Sequence, residues 1–343
     1  IQHIALGLAE KGWQIIFINP DFLLTSNISN APFILEQIRQ NLYLVKLGST
    51  RNLFIYHELP DNKQLSCIRL SLLRLLSKHK ISTNVNIVCH PFWLPLIKET
   101  KSPLIYDCMD YHAGFKENSL TVLNQEPLLF KKAKKTIVSS DFLKAEALKY
   151  TTEDTIELIP NAGDFEHFSK TFTKLTKHPP VIGYVGALNQ WLDISAFKQL
   201  AVNDLELVLV GKVENNQLKK LAIKYDNIRL WGEKPYQSLP GIMNNFDICL
   251  IPFEINRLTQ ATHPVKIYEY FATGKPVISS RLPELNRFKK YIYFYGPDTS
   301  IKQLVDRALH EPNHLKLERI EIARQNDWQH RIDQFDKILK ELI

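Results

Sequence analysis

Short apolar runs alternate with segments of helical period along the whole chain. The opening, IQHIALGLAEKGWQIIFINP, reads as a helix, a stop at Gly12, then a strand. The chain is read as beginning inside its first helix, with a first strand expected before it. Further strands are expected at 41–47, 85–91, 103–110, 135–140 and 156–161, with helices near 65–79, 120–134 and 141–150. In the second half, strands are expected at 181–186, 205–211, 228–232, 248–253, 275–280 and 291–296. Helices are expected near 191–202, 215–224, 236–245, 263–273, 299–310 and 315–325, and WQHRIDQFDKILKELI closes the chain as an amphipathic helix. The alternation predicts a doubly wound parallel α/β architecture. Residues 169–180, polar and proline-ended, read as a linker.

A chain of 343 residues is too long for one ordinary core and argues two domains. Hydrophobic residues at 45% and charged residues at 23% fit a water-soluble globular chain. The formal charge of +7 favours acidic ligands or an anionic surface. The basic residues are dispersed, which argues against a nucleic-acid groove. Cys67, Cys89, Cys108 and Cys249 form no C-x-x-C pair and read as reduced core thiols. No apolar run approaches the ~20 residues that span a bilayer, and no signal-peptide pattern is visible.

Ligands of open α/β sheets bind at the carboxyl ends of the strands. Chemistry is therefore sought there. VIGYVGALNQW runs a buried strand into Gly186-Ala187, where small residues let backbone N–H groups approach a phosphate. There is no G-x-G-x-x-G, which disfavours a dinucleotide. In ATHPVKIYEYFATGKPVISS, Thr262 is expected to cap a helix that Pro264 opens. Lys266 then sits near the positive helix end, with Glu269 one turn on, about 4.5 Å along the axis. A diphosphate at the tip and a ribose one turn down suit that spacing; an exposed i,i+3 ion pair suits it as well.

VIGYVGALNQWLD, LVLVGKV and the run from IRLWGEKPY to KIYEYFATGKPVISS resemble bacterial glycosyltransferases of the GT-B fold, of the family 4-like group (glycosyl transferases group 1). IPNAGDFEHF and PLIYDCMDYHAGF resemble two first-domain segments of that group, so the likeness covers nearly the whole chain. It implies two Rossmann-like domains with parallel sheets facing across a cleft: an acceptor domain over 1–168, a linker over 169–180, a nucleotide-sugar domain over 181–324, and a helix over 325–343 crossing back. It implies that Glu269 binds the ribose. Gly186, Ala187, Asn189, Lys266, His263 and Val265 are further donor contacts, and the base lies near Gly232, Lys234 and Tyr236. The group often carries a second glutamate eight positions earlier; Ala261 stands there. Its basic pair after the first strand of this domain is also absent, so Lys266 is expected to take over part of the diphosphate charge.

Glycosyl transfer needs a stabilised leaving diphosphate and a positioned acceptor hydroxyl. Lys266 and the helix end supply the first without a metal; no D-x-D stands in a suitable context, and no cofactor is expected. For the second, Asp110 at the end of PLIYDCMD is the first candidate base, then Asp107, then His112. In a retaining enzyme the leaving phosphate deprotonates the acceptor and Asp110 instead orients it. The expected activity is sugar transfer from a UDP-sugar to a glycan or lipid-linked acceptor in cell-surface polysaccharide synthesis. The expected location is cytoplasmic, with peripheral contact on an anionic membrane. Arg69, Arg74, Lys78 and Lys80 among the leucines of CIRLSLLRLLSKHK suit such a surface; they also suit a helix that covers the sheet with a solvated basic face. The rival readings are a nucleotide-sugar 2-epimerase-like isomerase and a non-catalytic sugar-nucleotide-binding homologue.

Overall fold

The computed structural model describes residues 2–97, 101–170 and 179–343. The chain divides into two compact units. The first comprises Ile1–Pro160 and Arg331–Ile343; the second comprises Asn161–His330. Of the expected linker, 171–178 lie outside the described residues.

In the first unit, helix α1 (Gln2–Glu10) is followed by strands β1 (Ile15–Ile18), β2 (Leu23–Leu24), β3 (Phe33–Arg39) and β4 (Leu42–Ser49). β4 pairs with the other three: parallel to β1 and β2, antiparallel to β3. The β3–β4 hairpin interrupts the expected all-parallel pattern. It turns at Gln40-Asn41, where Asn41 takes the left-handed conformation that its short polar side chain tolerates. Helix α2 (Asn62–Lys78) follows and packs on β4. Asp61 and Gln64 close a reciprocal capping box at its start.

A second sheet of this unit contains β5 (Asn86–Val88), β6 (Leu104–Cys108), β7 (Lys135–Val138) and β8 (Ile156–Leu158), in that order and all parallel. The helix expected over 120–134 is two short ones, Leu120–Leu123 and Glu126–Lys132, with Pro127 starting the second. The last helix, Trp328–Leu342, contributes its residues from Arg331 onward to this unit. There Asp336 accepts from Trp13 Nε1 at 2.8 Å, and Asp333 pairs with Lys11.

The second unit is one six-stranded parallel sheet of β9 (Val181–Val185), β10 (Glu206–Val210), β11 (Ile228–Gly232), β12 (Ile248–Ile251), β13 (Val277–Ser280) and β14 (Ile292–Tyr295). The order is β11-β10-β9-β12-β13-β14. The order reverses between β9 and β12, so their carboxyl ends open the crevice where doubly wound sheets take ligands. Apart from the edge strand β11, where Arg229 and Trp231 are exposed, the strands are apolar on both faces because helices cover both, which the continuous runs in the sequence reflect. Buried Arg319 binds Glu311 with both terminal nitrogens and tethers the Asn313–Gln325 helix to the carbonyls of Gly274 and Tyr291. No described helix is long and apolar enough to cross a membrane.

Candidate functional site

The carboxyl ends of β9 and β12 bring Gly186 and Lys266 together. Gly186 has φ +147°, and a Cβ there would lie 2.4 Å from Lys266 Cε and 2.9 Å from the Tyr184 hydroxyl. The backbone conformation calls for glycine, and its bare Cα leaves the room that the flexible end of Lys266 occupies. The Lys266 side chain lies across this bare backbone, with Nζ 6.0 Å from the Tyr184 ring centroid. The Tyr184 hydroxyl donates to the carbonyl of Ala187 at 3.2 Å and fixes the turn that follows. Burial pushes the Tyr184 phenol above its ordinary range, so it stays a neutral donor. Tyr184 read in the sequence as a core strand residue; only the fold places its hydroxyl under this turn.

Lys266 begins the helix Lys266–Ala272. Thr262 does not cap it, contrary to expectation. Its hydroxyl donates to the Leu258 carbonyl at 2.9 Å, closing the preceding turn Arg257–Gln260. The cap position is Val265, in helical conformation, with no side-chain cap bond. A helix of seven residues has a small macrodipole, so the positive charge here rests on the Lys266 ammonium. Lys266 Nζ lies 3.9 Å from Glu269 Oε2, too long for a hydrogen bond, and both side chains are partly buried. The pair is therefore a loose one whose polar atoms are open to a ligand's groups. His263 is buried, its Nε2 3.4 Å from the Tyr268 hydroxyl, and its carbonyl accepts from Asn161 Nδ2. Ala261, where a second glutamate was considered, is buried at 1% exposure.

Gly163, in the IPNAGDFEHF segment, packs directly on the same helix. A Cβ there would lie 2.8 Å from Tyr268 Cβ and 3.3 Å from the Glu269 nitrogen. One residue on, Asp164 Oδ2 accepts from the Tyr236 hydroxyl at 3.3 Å. His167 stacks face to face with Tyr236, ring centroids 4.3 Å apart and planes 8° from parallel, and a ring nitrogen lies 3.0 Å from the Tyr236 carbonyl. The loop after β11 is thereby held beside the helix. The Tyr236 phenol is raised by desolvation, then by Asp164 and Glu269, which puts Tyr236 in the field of Glu269. Gly232 and exposed Lys234 lie on the same loop. Asn189 is committed elsewhere: its Nδ2 donates to Glu214 at 2.6 Å and its Oδ1 accepts from the Gln190 nitrogen. Lys212, after β10, pairs with the same Glu214. His167 and Gly163 carried no chemical signal in the sequence beyond lying in the quoted segment.

The first unit gathers its candidates at the end of β6. Asp107 is buried, accepts a weak bond from the Cys89 thiol, and is pushed up to about 6 by burial. Asp110 reaches solvent, yet desolvation by the surrounding chain raises its carboxyl above the ordinary value. His112 is buried against His90, ring centroids 4.8 Å apart, and is pushed down to about 3 by burial and then by His90. Burial lowers His90 as well. Tyr56 packs edge-on to His90, and Asn118 Nδ2 donates to the His112 carbonyl. Glu126 was not anticipated. It accepts from the Tyr106 hydroxyl at 2.6 Å and burial pushes it up to about 7. Acids and imidazoles have thus exchanged their usual order: the carboxyls hold protons more tightly than His112 does.

Residues 179–309 match the family described as Glycosyl transferases group 1. A curated relative, the putative teichuronic acid biosynthesis glycosyltransferase TuaH of Bacillus subtilis, is 26% identical over 220 residues, 56% of this chain. The match spans 54% of that relative's length. Sucrose-phosphate synthase from Thermosynechococcus elongatus superposes with a TM-score of 0.76 at 16% identity, covering 99% of this chain and 92% of that one. WaaG, a glycosyltransferase involved in lipopolysaccharide biosynthesis, gives 0.68 at 13% identity, covering 98% and 94%. Anabaena HepE in complex with UDP-glucose gives 0.65 at 16% identity, covering 83% and 85%. These likenesses show the fold, which is GT-B.

Proposed function

We infer that this chain, whose residues 179–309 match the glycosyl transferases group 1, moves a sugar from a nucleotide-sugar donor to a glycan or lipid-linked acceptor. The observation that carries the reading is the Lys266 ammonium lying across the bare backbone of Gly186, with the Glu269 carboxylate 3.9 Å away. A diphosphate at Gly186-Ala187 meets the Lys266 ammonium; the Gly186 N–H is spent on the Val210 carbonyl at 2.8 Å, so the lysine rather than the Gly186 backbone carries the contact. The ribose hydroxyls fall to Glu269, one helical turn on. The base lies by Gly232, Lys234 and Tyr236, on the loop that His167 and Asp164 hold. His263 and Val265 shape the entry to the helix, and Asn189, tied to Glu214, shapes the loop edge. UDP is the favoured nucleotide, a choice supported by HepE, whose complex holds UDP-glucose.

The leaving diphosphate gathers charge as the glycosidic bond breaks. Lys266 is placed to stabilise that charge in a partly dehydrated setting, where an ammonium counts for more than in water. Transfer is read as metal-independent and retaining, with the leaving phosphate taking the acceptor proton. Asp110 is the residue assigned to orient or deprotonate the acceptor: it is the accessible carboxylate, and its raised pKa makes it a better base than an ordinary aspartate. Asp107 is buried. His112, pushed down to about 3, is a weak base at neutral pH and serves as a neutral hydrogen-bonding group. The teichuronic acid relative and WaaG support a cell-surface polysaccharide as the product class. We read the site of work as cytoplasmic, against the inner face of the plasma membrane.

The test is titration calorimetry with UDP, GDP and ADP, followed by the matching sugar nucleotides. A UDP preference strengthened by one sugar supports transfer. Conversion of that nucleotide sugar without any acceptor points to the isomerase reading. Absence of binding by every nucleotide refutes the donor site.

A further inference from the structure

β9 pairs with β10 over its whole length, from Val181 to Val185. Its ladder with β12 is shorter. It reaches Gly183 opposite Cys249 and stops, although β12 runs on to Ile251 against β13. The two strands therefore part above Gly183, where the sheet order reverses. Successive residues of a strand alternate in direction, so neighbouring N–H groups face opposite sides. The Gly186 N–H faces β10 and donates to the Val210 carbonyl, so the Val185 N–H faces the parting. A buried N–H left there without a partner is costly.

The Val185 N–H instead donates to the Tyr270 hydroxyl at 3.0 Å. Tyr270 is fully buried and comes from the helix Lys266–Ala272. Burial pushes its phenol well above the ordinary range, so the accepting oxygen belongs to a neutral hydroxyl. Residues four apart lie on one side of a helix. Lys266 and Tyr270 are four apart, and both reach the same turn: Tyr270 at Val185, Lys266 across Gly186. Tyr184 holds the far end of that turn, its hydroxyl donating to the Ala187 carbonyl. A phenylalanine at 270 would fill nearly the same core volume. The hydroxyl is what the parted strands use.

We propose that Tyr270 is a positioning residue for the donor diphosphate: its hydroxyl stands where β9 and β12 part, ties the Val185–Ala187 turn to the helix that carries Lys266, and so sets where the Lys266 ammonium meets the phosphates. Tyr184 braces the same turn from its other end. The inference rests on the donor reading above and adds the device that seats its lysine. Tyr270 acts through Val185 and Lys266 and itself touches no ligand.

The experiment is calorimetry on the full chain and on Tyr270→Phe, with UDP and with uridine, which keeps the nucleoside and lacks the phosphates. The ratio of the two affinities reads the diphosphate seat alone. Tyr270→Phe should lower UDP affinity about 3- to 10-fold, the share of one hydrogen bond, and leave uridine affinity unchanged. In a Lys266→Ala background the same change should cost at most about twofold, since the lysine it seats is gone. Tyr293→Phe is the control. It removes a tyrosine bond to Glu311 on β14, three places along the sheet from β9, and should leave both affinities unchanged. If Tyr270→Phe does not fold, Tyr184→Phe deletes the other brace and carries the same prediction for the ratio. An unchanged ratio, a parallel fall in both affinities, or a full further loss in the Lys266→Ala background would each overturn the proposal. A wild-type protein that gains no affinity from the diphosphate would overturn the donor reading and this inference with it. A wild-type preference for UDP that Tyr270→Phe keeps intact would overturn this inference alone.

Discussion

Replacing Gly186 by alanine should separate two costs that the structure superposes. The first is local. The position has φ +147°, a region that side-chain-bearing residues occupy only under strain, at about 1–3 kcal/mol. For a unit of this size each kcal/mol shifts melting by about 2–4 °C, so a drop of about 2–12 °C is expected. The second is functional. The new methyl would sit 2.4 Å from Lys266 Cε, so the lysine must swing off the turn. A hydrogen bond to a charged group contributes about 1.5–3 kcal/mol, so UDP affinity should fall about 10- to 150-fold. The assay is calorimetry with UDP on Gly186→Ala, Lys266→Ala and the double variant, beside thermal melts of each. If the alanine acts on binding by displacing Lys266, it should add little to the affinity loss once the lysine is gone, while the melting penalty persists. Wild-type affinity in Gly186→Ala, or losses that add in full in the double variant, would refute the claim that Gly186 exists to seat Lys266.

Other outcomes follow from the same geometry. Glu269→Ala should weaken UDP binding about 10- to 100-fold, a loss of about 1.4–2.8 kcal/mol, while leaving the melting temperature nearly unchanged; an unaltered titration would remove the ribose assignment. Asp110→Asn should keep UDP binding intact and lower transfer about 10²- to 10⁴-fold, measured as acceptor-dependent UDP release; full transfer would take Asp110 out of the reaction. The buried His112 makes stability fall in acid. Its folded pKa, about 3, lies below the unfolded value near 6.5, so its contribution is complete above about pH 6.5 and is lost as pH falls toward 3, up to about 5 kcal/mol. Asp107 and Glu126 act in the opposite sense: raised to about 6 and about 7, they stabilise fully below about pH 4 and lose that contribution as pH rises through those values. Denaturant melts of His112→Gln against the wild type should therefore diverge near pH 7 and converge toward pH 4; parallel curves would contradict the burial of an uncharged imidazole.

What the sequence determined by itself was whatever depends on local period and local chemistry. Continuous apolar runs such as VIGYVG and ICLIPF mark strands covered on both faces, and the six strands of the second unit appear where those runs lie. The KIYEY run placed Lys266 and Glu269 on one helical face, because residues three apart are neighbours on any helix. The helix start was not legible. Thr262, Pro264 and the apolar period looked like a cap and a first turn, but a cap is set by which carbonyl or N–H the hydroxyl reaches, and Thr262 reaches back to Leu258. β4 was legible as an apolar run, but β3 and with it the hairpin were missed, because β3 is half polar and largely exposed and the turn's signal is one asparagine in a left-handed conformation. Tertiary structure alone decided the rest. Residues 80 apart in sequence meet where Lys266 crosses Gly186, and residues 69 apart meet where His167 stacks on Tyr236. The inversion of His112 against Asp107 and Glu126 is likewise invisible in residue types, since burial and neighbouring groups set it, and the packed chain fixes both.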